Sequence, residues 1–294
     1  SSLDYEMASY YHEAFRGNNY LTLQNTKSVS GFGGSVGLGL LYEPVEGLRL
    51  GASLYTPTFY SMKMDFQASS LGRYNKANEV VTPKSAANSY ALRGNWRFGL
   101  SGAYFIGRHG FISADYDYTS GSLRLSNSTY DEYDGSEIGF EEDNARLKTN
   151  FGGVHTVRLG AEAMLSDRIA LRAGYRYSSS PVKNARLQGD MASTEVLVSG
   201  PAVHYTLPDS QNSFSLGTGF RITPSLSLDL AYVYSDAKAR TFAFPYVNDY
   251  GSYLNASDAD IRAGKVKPDE LVGMQAIKET NQRHKAVATL SIRF

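Results

Sequence analysis

Arginine is the residue type through which this sequence could most readily act on a small ligand. Arg97, Arg158 and Arg176 each lie in a stretch where apolar and polar residues alternate. A guanidinium group is planar and binds a carboxylate through two parallel hydrogen bonds. We therefore select these three as candidate contacts for an anionic head group. The same stretches also carry Asp and Glu, so the competing prediction is an ion-pair network that uses most of the arginines.

A second candidate is the apolar segment that follows Pro57 in "YTPTFYSMKMDF". Proline removes a hydrogen-bond donor from a strand, so it indicates a bulge or a strand end at this point. Methionine and aromatic side chains adapt to irregular shapes and suit a lipid tail. The candidate ligand contacts here are Phe59, Met62, Met64 and Phe66. The alternative is that these side chains pack against a loop or lie at a membrane interface.

The N-terminal stretch "LDYEMASYYHEAFRG" supplies the third candidate. Its apolar residues have the spacing of one helical face, and they are Met7, Tyr10, Tyr11 and Phe15. The spacing predicts an amphipathic helix capped at its start by Asp4 and ended by Gly17. Tyr10, Tyr11 and Phe15 would then form the wall of a ligand groove, or else pack on the body of the protein.

Neither catalysis nor metal binding is indicated, because both need side chains that converge in a recognisable pattern. The five histidines are scattered, at His12, His109, His155, His204 and His284. No His–Tyr pair suggests an axial ligand for heme. The acidic run "YDEYDGSEIGFEED" lacks the spacing of a calcium loop and is expected to be a solvated loop. We therefore expect no enzymatic activity, no metal and no cofactor.

The composition narrows the class of partner. The 294 residues carry 29 basic and 29 acidic side chains, and this balance argues against nucleic acid as a partner. Cysteine is absent, which excludes disulfides and thiolate metal sites. No run approaches the roughly 18–20 apolar residues of a membrane helix. Two classes remain, an all-β protein in water and a membrane β-barrel, in which only alternate residues contact lipid.

The elements that must position these residues are strands, because alternation with a period of two recurs along the chain. Nine such stretches occur, at 32–42, 48–54, 90–104, 112–118, 157–165, 169–177, 214–222, 226–234 and 284–294. Short turns connect them at 43–47, 107–110, 166–168 and 223–225. Long polar segments connect them at 61–88, 128–148, 181–208 and 241–282. Short turns at one end and long loops at the other favour an outer-membrane barrel.

The two faces of these strands differ in chemistry. Opposite the apolar positions stand Arg49, Arg93, Asn95, Arg97, Asp115, Asp117, Arg158, Glu162, Arg172, Arg176, Arg221, Asp229, Lys285 and Arg293. Aromatic residues lie on the apolar face near the long loops, namely Tyr116, Tyr118, Tyr175, Tyr177, Tyr232 and Tyr234. That is the position of an aromatic belt at a membrane interface. The alternative is an aromatic-rich core in a protein surrounded by water.

The end of the chain adds to this interpretation. "RHKAVATLSIRF" places Phe294 on the apolar face, as in the C-terminal strand that outer-membrane proteins present to the barrel-assembly machinery. Bacterial barrels have even strand counts, whereas this sequence predicts nine. The N-terminus also lacks the features of a signal peptide. We therefore expect a processed chain or the C-terminal part of a larger barrel.

Five segments carry a resemblance to a known family, and they are "GGSVGLGLLYEPVEGLRLGASLYTPTFYSMKMDF", "GFISADYDYTSGSLRLS", "HTVRLGAEAML", "LRAGYRYSSSP" and "LDLAYVYS". In their order and spacing the sequence resembles FadL-type outer-membrane transport proteins, in particular the hemin-receptor-like branch of the Bacteroidota. It implies an all-β fold, a transmembrane antiparallel barrel of about 14 strands, of which 28–294 supplies nine. Residues 1–27 would be an extracellular loop with a short helix, and the N-terminal hatch and about five strands would be absent.

The same resemblance implies location in the bacterial outer membrane and passive transport of hydrophobic small molecules, such as long-chain fatty acids. The implied partners are such a ligand, outer-membrane lipid, lipopolysaccharide and the barrel-assembly machinery. Two alternatives stay open. One is a non-transporting barrel that serves as a secretion-system or structural subunit, and the less favoured one is an outer-membrane enzyme.

Overall fold

The computed structural model describes residues 2–74, 77–127, 139–184, 205–242 and 276–292. These residues form antiparallel strands and one helix, α1 at Glu141–Asn150. The strands are β1 Ser2–Phe15, β2 Asn19–Gly34, β3 Gly37–Val45, β4 Leu48–Tyr55, β5 Phe59–Tyr74, β6 Ala77–Arg93, β7 Arg97–Phe105, β8 Gly110–Thr119, β9 Arg124–Asn127, β10 Val154–Ser166, β11 Ile169–Ser178, β12 Tyr205–Thr223, β13 Leu226–Phe242 and β14 Ile277–Ile292. The predicted all-β antiparallel fold is confirmed.

The strands belong to two sheets. A nine-stranded sheet has the order β14-β13-β12-β11-β10-β8-β7-β4-β3, and a five-stranded sheet has the order β1-β2-β5-β6-β9. Four short connections cross directly from one sheet to the other, because β2 leads into β3, β4 into β5, β6 into β7, and β8 into β9, whereas β9 is followed by α1 before β10. The crossings are short interruptions at 35–36, 56–58, 94–96 and 120–123. We call this line of interruptions the break.

The break leaves backbone groups without a regular ladder, and side chains take over part of that role. The hydroxyl of Thr56 accepts a hydrogen bond from Val36 N at 3.0 Å. The hydroxyl of Ser120 accepts one from Trp96 N at 3.0 Å. The Asn95 side chain accepts one from the backbone N–H of the 120–123 segment at 2.9 Å. The sheets therefore separate without leaving these donors unsatisfied.

Each of the nine predicted stretches contributes a strand to the nine-stranded sheet, but 32–42 and 90–104 are each interrupted at the break and begin in the other sheet. The register places apolar residues opposite apolar residues from strand to strand: Leu171 faces Ala163, Leu216 faces Ala173, and Leu230 faces Ala288. Period-two alternation survives this register because neighbouring antiparallel residues point to the same side. Phe294 lies outside the described residues, so its role stays a prediction.

The predicted N-terminal helix is wrong. Residues Ser2–Phe15 form β1, which pairs with β2 along its whole length: Ser2 lies opposite Phe32 at one end, and Phe15 lies opposite Asn19 at the other. A tight turn joins the two strands, with Gly17 at φ 77° and Asn18 at φ 61°. Tyrosine and phenylalanine favour strands, and a long ladder outweighs a helical spacing of four apolar residues. Asp4 is therefore a strand residue and not a helix cap.

The predicted long loop at 61–88 is also wrong, because β5 and β6 pair along most of it. Of the other long segments, 128–138, 185–204 and 243–275 lie outside the described residues. The described end of the second segment contains helix α1. Parts of the third and fourth extend strands β12 and β14.

Buried side chains are few among the residues that the structure describes. One cluster joins Val182, Leu207 and Phe242, with Phe151 packed against it. A second group of buried residues lies on one side of the five-stranded sheet and includes Val29, Met62 and Phe66. The accessible surface is 20049 Å², against about 12,000 Å² expected for a compact protein of this mass. Most apolar residues of the nine-stranded sheet are therefore open to the surroundings.

Candidate functional site

One face of the nine-stranded sheet is apolar and exposed across all of its strands. Leu38, Leu100, Leu216 and Leu290 are 68%, 62%, 65% and 60% exposed. Proteins in water rarely expose continuous apolar patches larger than a few hundred Å². This apolar face therefore has the chemistry of a surface that contacts lipid.

Aromatic residues form a band along the apolar face. Trp96 stacks on Phe98, whose ring centroid lies 6.4 Å from that of Tyr118. Further along, Tyr175 and Phe214 are 4.9 Å apart. The six tyrosines singled out in the sequence occupy this face, as their registers with neighbouring strands show. Their predicted placement on the apolar side is confirmed.

Two histidines join this band in the same way. Tyr116 Oη lies 2.7 Å from His155 Nδ1, and Tyr232 Oη lies 2.6 Å from His284 Nδ1. In both cases the second tyrosine of a Tyr-x-Tyr sequence sits directly opposite the histidine in the register. The sequence analysis missed these pairs. A signal was present, because each Tyr-x-Tyr strand neighbours a strand that carries a histidine.

The opposite face of the sheet carries charged residues in ion pairs. Arg172 contacts Glu162 at 2.6 Å and Asp229 at 2.5 Å, which links strands β10, β11 and β13. Arg158 pairs with Asp117 on β8. The predicted Arg–Asp/Glu network is confirmed for these groups, which hold neighbouring strands together on what we call the polar face.

The three arginines selected from the sequence come together on the polar face. Arg97, Arg158 and Arg176 line one depression of about 200 Å³. Arg158 and Arg176 are direct cross-strand neighbours. The guanidinium of Arg97 lies over the ring of Tyr55, 4.7 Å from its centroid. The predicted grouping is therefore present in the structure, while a ligand for it stays a prediction.

Charge in this depression is not balanced. Asp117 is the carboxylate that lines it, and it is paired with Arg158. Within the described part of the chain, Arg97 and Arg176 have no ion pair with a carboxylate. Both side chains line the depression on the polar face. The depression is therefore suited to an anion.

A second cavity, of about 210 Å³, lies next to the break. Its wall is largely apolar and includes Leu123, Leu147, Phe151 and Pro181. These residues come from the break, from α1, from the segment before β10 and from the segment after β11. The cavity was not predicted from the sequence, because its wall is assembled from segments far apart in the chain.

Helix α1 is fixed above the break by polar contacts at both ends. The Asn144 side chain donates to Leu125 O and accepts from Leu125 N, each at 2.8 Å. Lys183 Nζ donates to the carbonyl of Lys148 at 2.6 Å in the last turn. A cation at the C-terminus of a helix is favourable for its dipole. The wall of the apolar cavity is thus held in place from two sides.

The methionine and phenylalanine candidates in β5 do not form one open surface. Met62 and Phe66 are 1% and 7% exposed and lie on the same side of the five-stranded sheet as Met64. Phe59 lies on the other side and is 59% exposed. The predicted single patch is therefore wrong, since alternation separates Phe59 from the other three. The side chain of Met62 lies against Gly31, where it fills the space that a larger residue would need. Met62 therefore packs within the sheet and is not available to a ligand.

The aromatic candidates in the N-terminal segment belong to the β1–β2 hairpin. Tyr10 and Phe15 are 64% and 50% exposed, and the backbone of Tyr11 pairs with Leu23. A strand does not create the helical face on which their grouping was based. The hairpin leaves them without the predicted common wall.

The remaining polar candidates show no catalytic arrangement within the described residues. His12 hydrogen-bonds Thr22 at 2.9 Å, and His109 lies in the turn before β8. His204 lies outside the described residues, as does most of the acidic run. No group of three or more potential metal ligands occurs in the part that is described.

The two faces define the class of the nine-stranded sheet. An antiparallel sheet with an exposed apolar side, an aromatic band and a charged opposite side has the construction of a membrane β-barrel wall. Among the described residues, no helix has the length and apolar character needed to span a bilayer.

No family model and no curated protein matches the sequence. Three solved structures show a distant likeness. The "CymD monoaromatic hydrocarbon channel" is 11% identical, with a TM-score of 0.40, over 83% of this chain and 75% of that chain. A FadL homologue from Pseudomonas aeruginosa is 10% identical, with a TM-score of 0.39, over 96% and 76%. The outer membrane channel DcaP of Acinetobacter baumannii is 8% identical, with a TM-score of 0.36, over 99% and 84%. Such values do not establish a family.

Proposed function

We propose that this protein forms part of a bacterial outer-membrane channel through which hydrophobic small molecules cross by passive diffusion. The observation that carries the proposal is the two-faced nine-stranded sheet. Its apolar side meets lipid, and its charged side faces a water-filled interior. A single sheet with this division of residues separates a membrane from an aqueous path.

The ion pairs of the polar face support an interior that holds its shape. Arg172 on β11 bridges a carboxylate on the neighbouring strand β10 and another on β13, two strands away on the other side. Arg97 and Arg176 add positive charge that is not committed to a carboxylate within the described residues. We propose that the transported class includes long-chain fatty acid-like molecules, whose carboxylate these arginines attract during passage.

The proposal makes the protein a channel and not an enzyme, without a cofactor. Its surroundings are outer-membrane lipid and lipopolysaccharide, and its insertion depends on the barrel-assembly machinery. The pairs Tyr116–His155 and Tyr232–His284 support this placement, because polar aromatic groups on an apolar face suit a membrane interface.

Reconstitution into vesicles tests the proposal. The full-length protein is inserted into phospholipid vesicles, and the uptake of a fluorescent fatty acid is compared with that of empty vesicles. Faster entry without an energy source is expected, because diffusion through a channel needs only a gradient. Native mass spectrometry of detergent-extracted protein is expected to show a bound apolar compound. Unchanged uptake together with a stoichiometric protein partner would contradict transport and favour a secretion or structural subunit.

A further inference from the structure

The arginine depression and the apolar cavity lie side by side on the polar side of the sheet. Asn95 lines the cavity, and Arg97 lines the depression. On strand β10, Val154 lines the cavity and Thr156 lines the depression. Residues two apart on a strand share a face and are separated by about 6.8 Å. The two spaces therefore adjoin on β10, and Asn95 and Arg97 place them next to each other again where the break leads into β7.

The depression offers a strong and specific environment for a negative charge. Like charges directly opposite each other are unfavourable in an antiparallel ladder, and Arg158 faces Arg176 in that way. Asp117 offsets one of these charges and Asp115 faces Arg158 from β8. An anion between the guanidinium groups reduces the remaining repulsion. Because each guanidinium is planar, a carboxylate or sulfonate group binds it through paired hydrogen bonds.

The apolar cavity limits the size of the rest of the molecule. Its volume of about 210 Å³ equals roughly seven water molecules at about 30 Å³ each. Pockets that enclose drug-sized ligands start at about 300 Å³. A phenyl ring or a short alkyl chain fits this space, whereas a long alkyl chain extends beyond it.

We propose that the depression and the cavity form one composite site for a small amphipathic organic anion, an aromatic or short-chain carboxylate or sulfonate. The acid group binds between Arg97, Arg158 and Arg176, and the apolar body occupies the space between Leu123, Leu147 and Phe151. This proposal rests on the channel function, since it adds to the diffusion path a site that holds small organic anions more tightly than the long-chain acids that also pass it. Of two molecules with the same apolar body, the charged one binds more tightly.

Calorimetric titration of the full-length protein in detergent tests the site. The probes are 4-phenylbutanoate, its neutral amide and hexadecanoate. Arg97→Gln and Arg176→Gln are each expected to weaken 4-phenylbutanoate about tenfold, because each removes a charge-assisted contact. Neither substitution is expected to change binding of the amide. Arg49→Gln is the matched control, since Arg49 lies elsewhere on the polar face and pairs with Glu43 at 3.4 Å.

The apolar part of the site is tested by filling it. Leu147→Phe and, as a second variant, Leu123→Phe are expected to weaken both 4-phenylbutanoate and its amide by tenfold or more, because the added ring occupies the cavity. Hexadecanoate is expected to bind more weakly than 4-phenylbutanoate. Equal losses for acid and amide in the arginine variants would overturn the assignment of the depression. Undiminished binding in both filled variants, or tighter binding of hexadecanoate, would overturn the assignment of the cavity.

Vesicle uptake separates failure of this site from failure of the channel function. Protein that carries hydrophobic dyes into vesicles but binds acid and amide equally well is a channel without the composite site. Protein that admits no hydrophobic compound at all contradicts the channel itself.

Discussion

The assignment of the two faces is tested by placing the same charge on neighbouring residues of one strand. Leu216 and Ser215 are consecutive in β12, and Leu216 is 65% exposed on the apolar face. Ser215 lies opposite Gly174 on the polar face. In lipid, Leu216→Arg is expected to cost about 2–4 kcal/mol near the middle of the bilayer. Ser215→Arg directs the same group into the aqueous interior and is expected to change stability by about 0.5 kcal/mol or less.

Because Leu216 is exposed, the cost of Leu216→Arg distinguishes contact with lipid from contact with water. In water, a substitution at so exposed a position typically changes stability by within about 0.5 kcal/mol. Contact with lipid therefore raises the cost by at least about 1.5 kcal/mol, which is more than a tenfold change in the folding equilibrium. The measurement is denaturant titration of folding into phospholipid vesicles, followed through Trp96, which is the single tryptophan of the sequence. Equal costs for the two variants, or a larger cost for Ser215→Arg, would refute the assignment.

Three further predictions concern the interior network, the hairpin and the helix. Arg172→Gln is expected to lower the free energy of unfolding by up to about 1 kcal/mol, and not more, because its partners are partly exposed. A double-mutant cycle with Glu162→Gln that shows no coupling energy between the two residues would refute the network. Gly17→Val places a β-branched residue at φ 77° and is expected to destabilise the β1–β2 hairpin by about 1–3 kcal/mol. The measurement is amide exchange, which is expected to become faster in β1 and β2; unchanged exchange would argue against the turn. Lys183→Ala removes a cap from α1 and is expected to cost about 0.5–1 kcal/mol. Amide exchange is expected to become faster in the helix and to stay unchanged in β11, whereas an equal increase in both would point to global destabilisation.

The nine-stranded sheet was predictable because its residues obey one strong rule. A strand with lipid on one side and water on the other must alternate, and "LSLDLAYVYS" does so without a break. Leu226, Leu228 and Leu230 then fall on the apolar face in the observed register. The rule acts residue by residue, so it is visible without knowledge of the partner strands.

The five-stranded sheet was missed for a related reason. The segment "SMKMDF" alternates as clearly, yet its surroundings are polar, and the average composition of 61–88 suggested a loop. In β1, two adjacent tyrosines gave an apparent helical spacing, although tyrosine favours strands. The turn residues Gly17 and Asn18 were the better guide, since both tolerate positive φ.

The candidate site divides along the same line. Arg97, Arg158 and Arg176 were found because each stands at a polar position of a recognisable strand. The apolar cavity next to them exists because α1 packs near the break. No local sequence pattern predicts that packing. Leu147 and Phe151 are placed by contacts with segments far away in the sequence: the hydrogen bonds of Asn144 and Lys183, and the pairing of Phe151 with Val182.

The break explains why charge and apolar surface meet at one point. Where the chain crosses between the two sheets, side chains such as Asn95 and Ser120 replace ladder partners. The interruption opens space that a continuous ladder would close, and Leu147 of α1 and Phe151 after it line that space. The arginines lie one step further along the same strands, where the ladder is regular and holds them at fixed spacing. An amphipathic anion that arrives from the side of α1 therefore meets the apolar cavity first and the positive charge next.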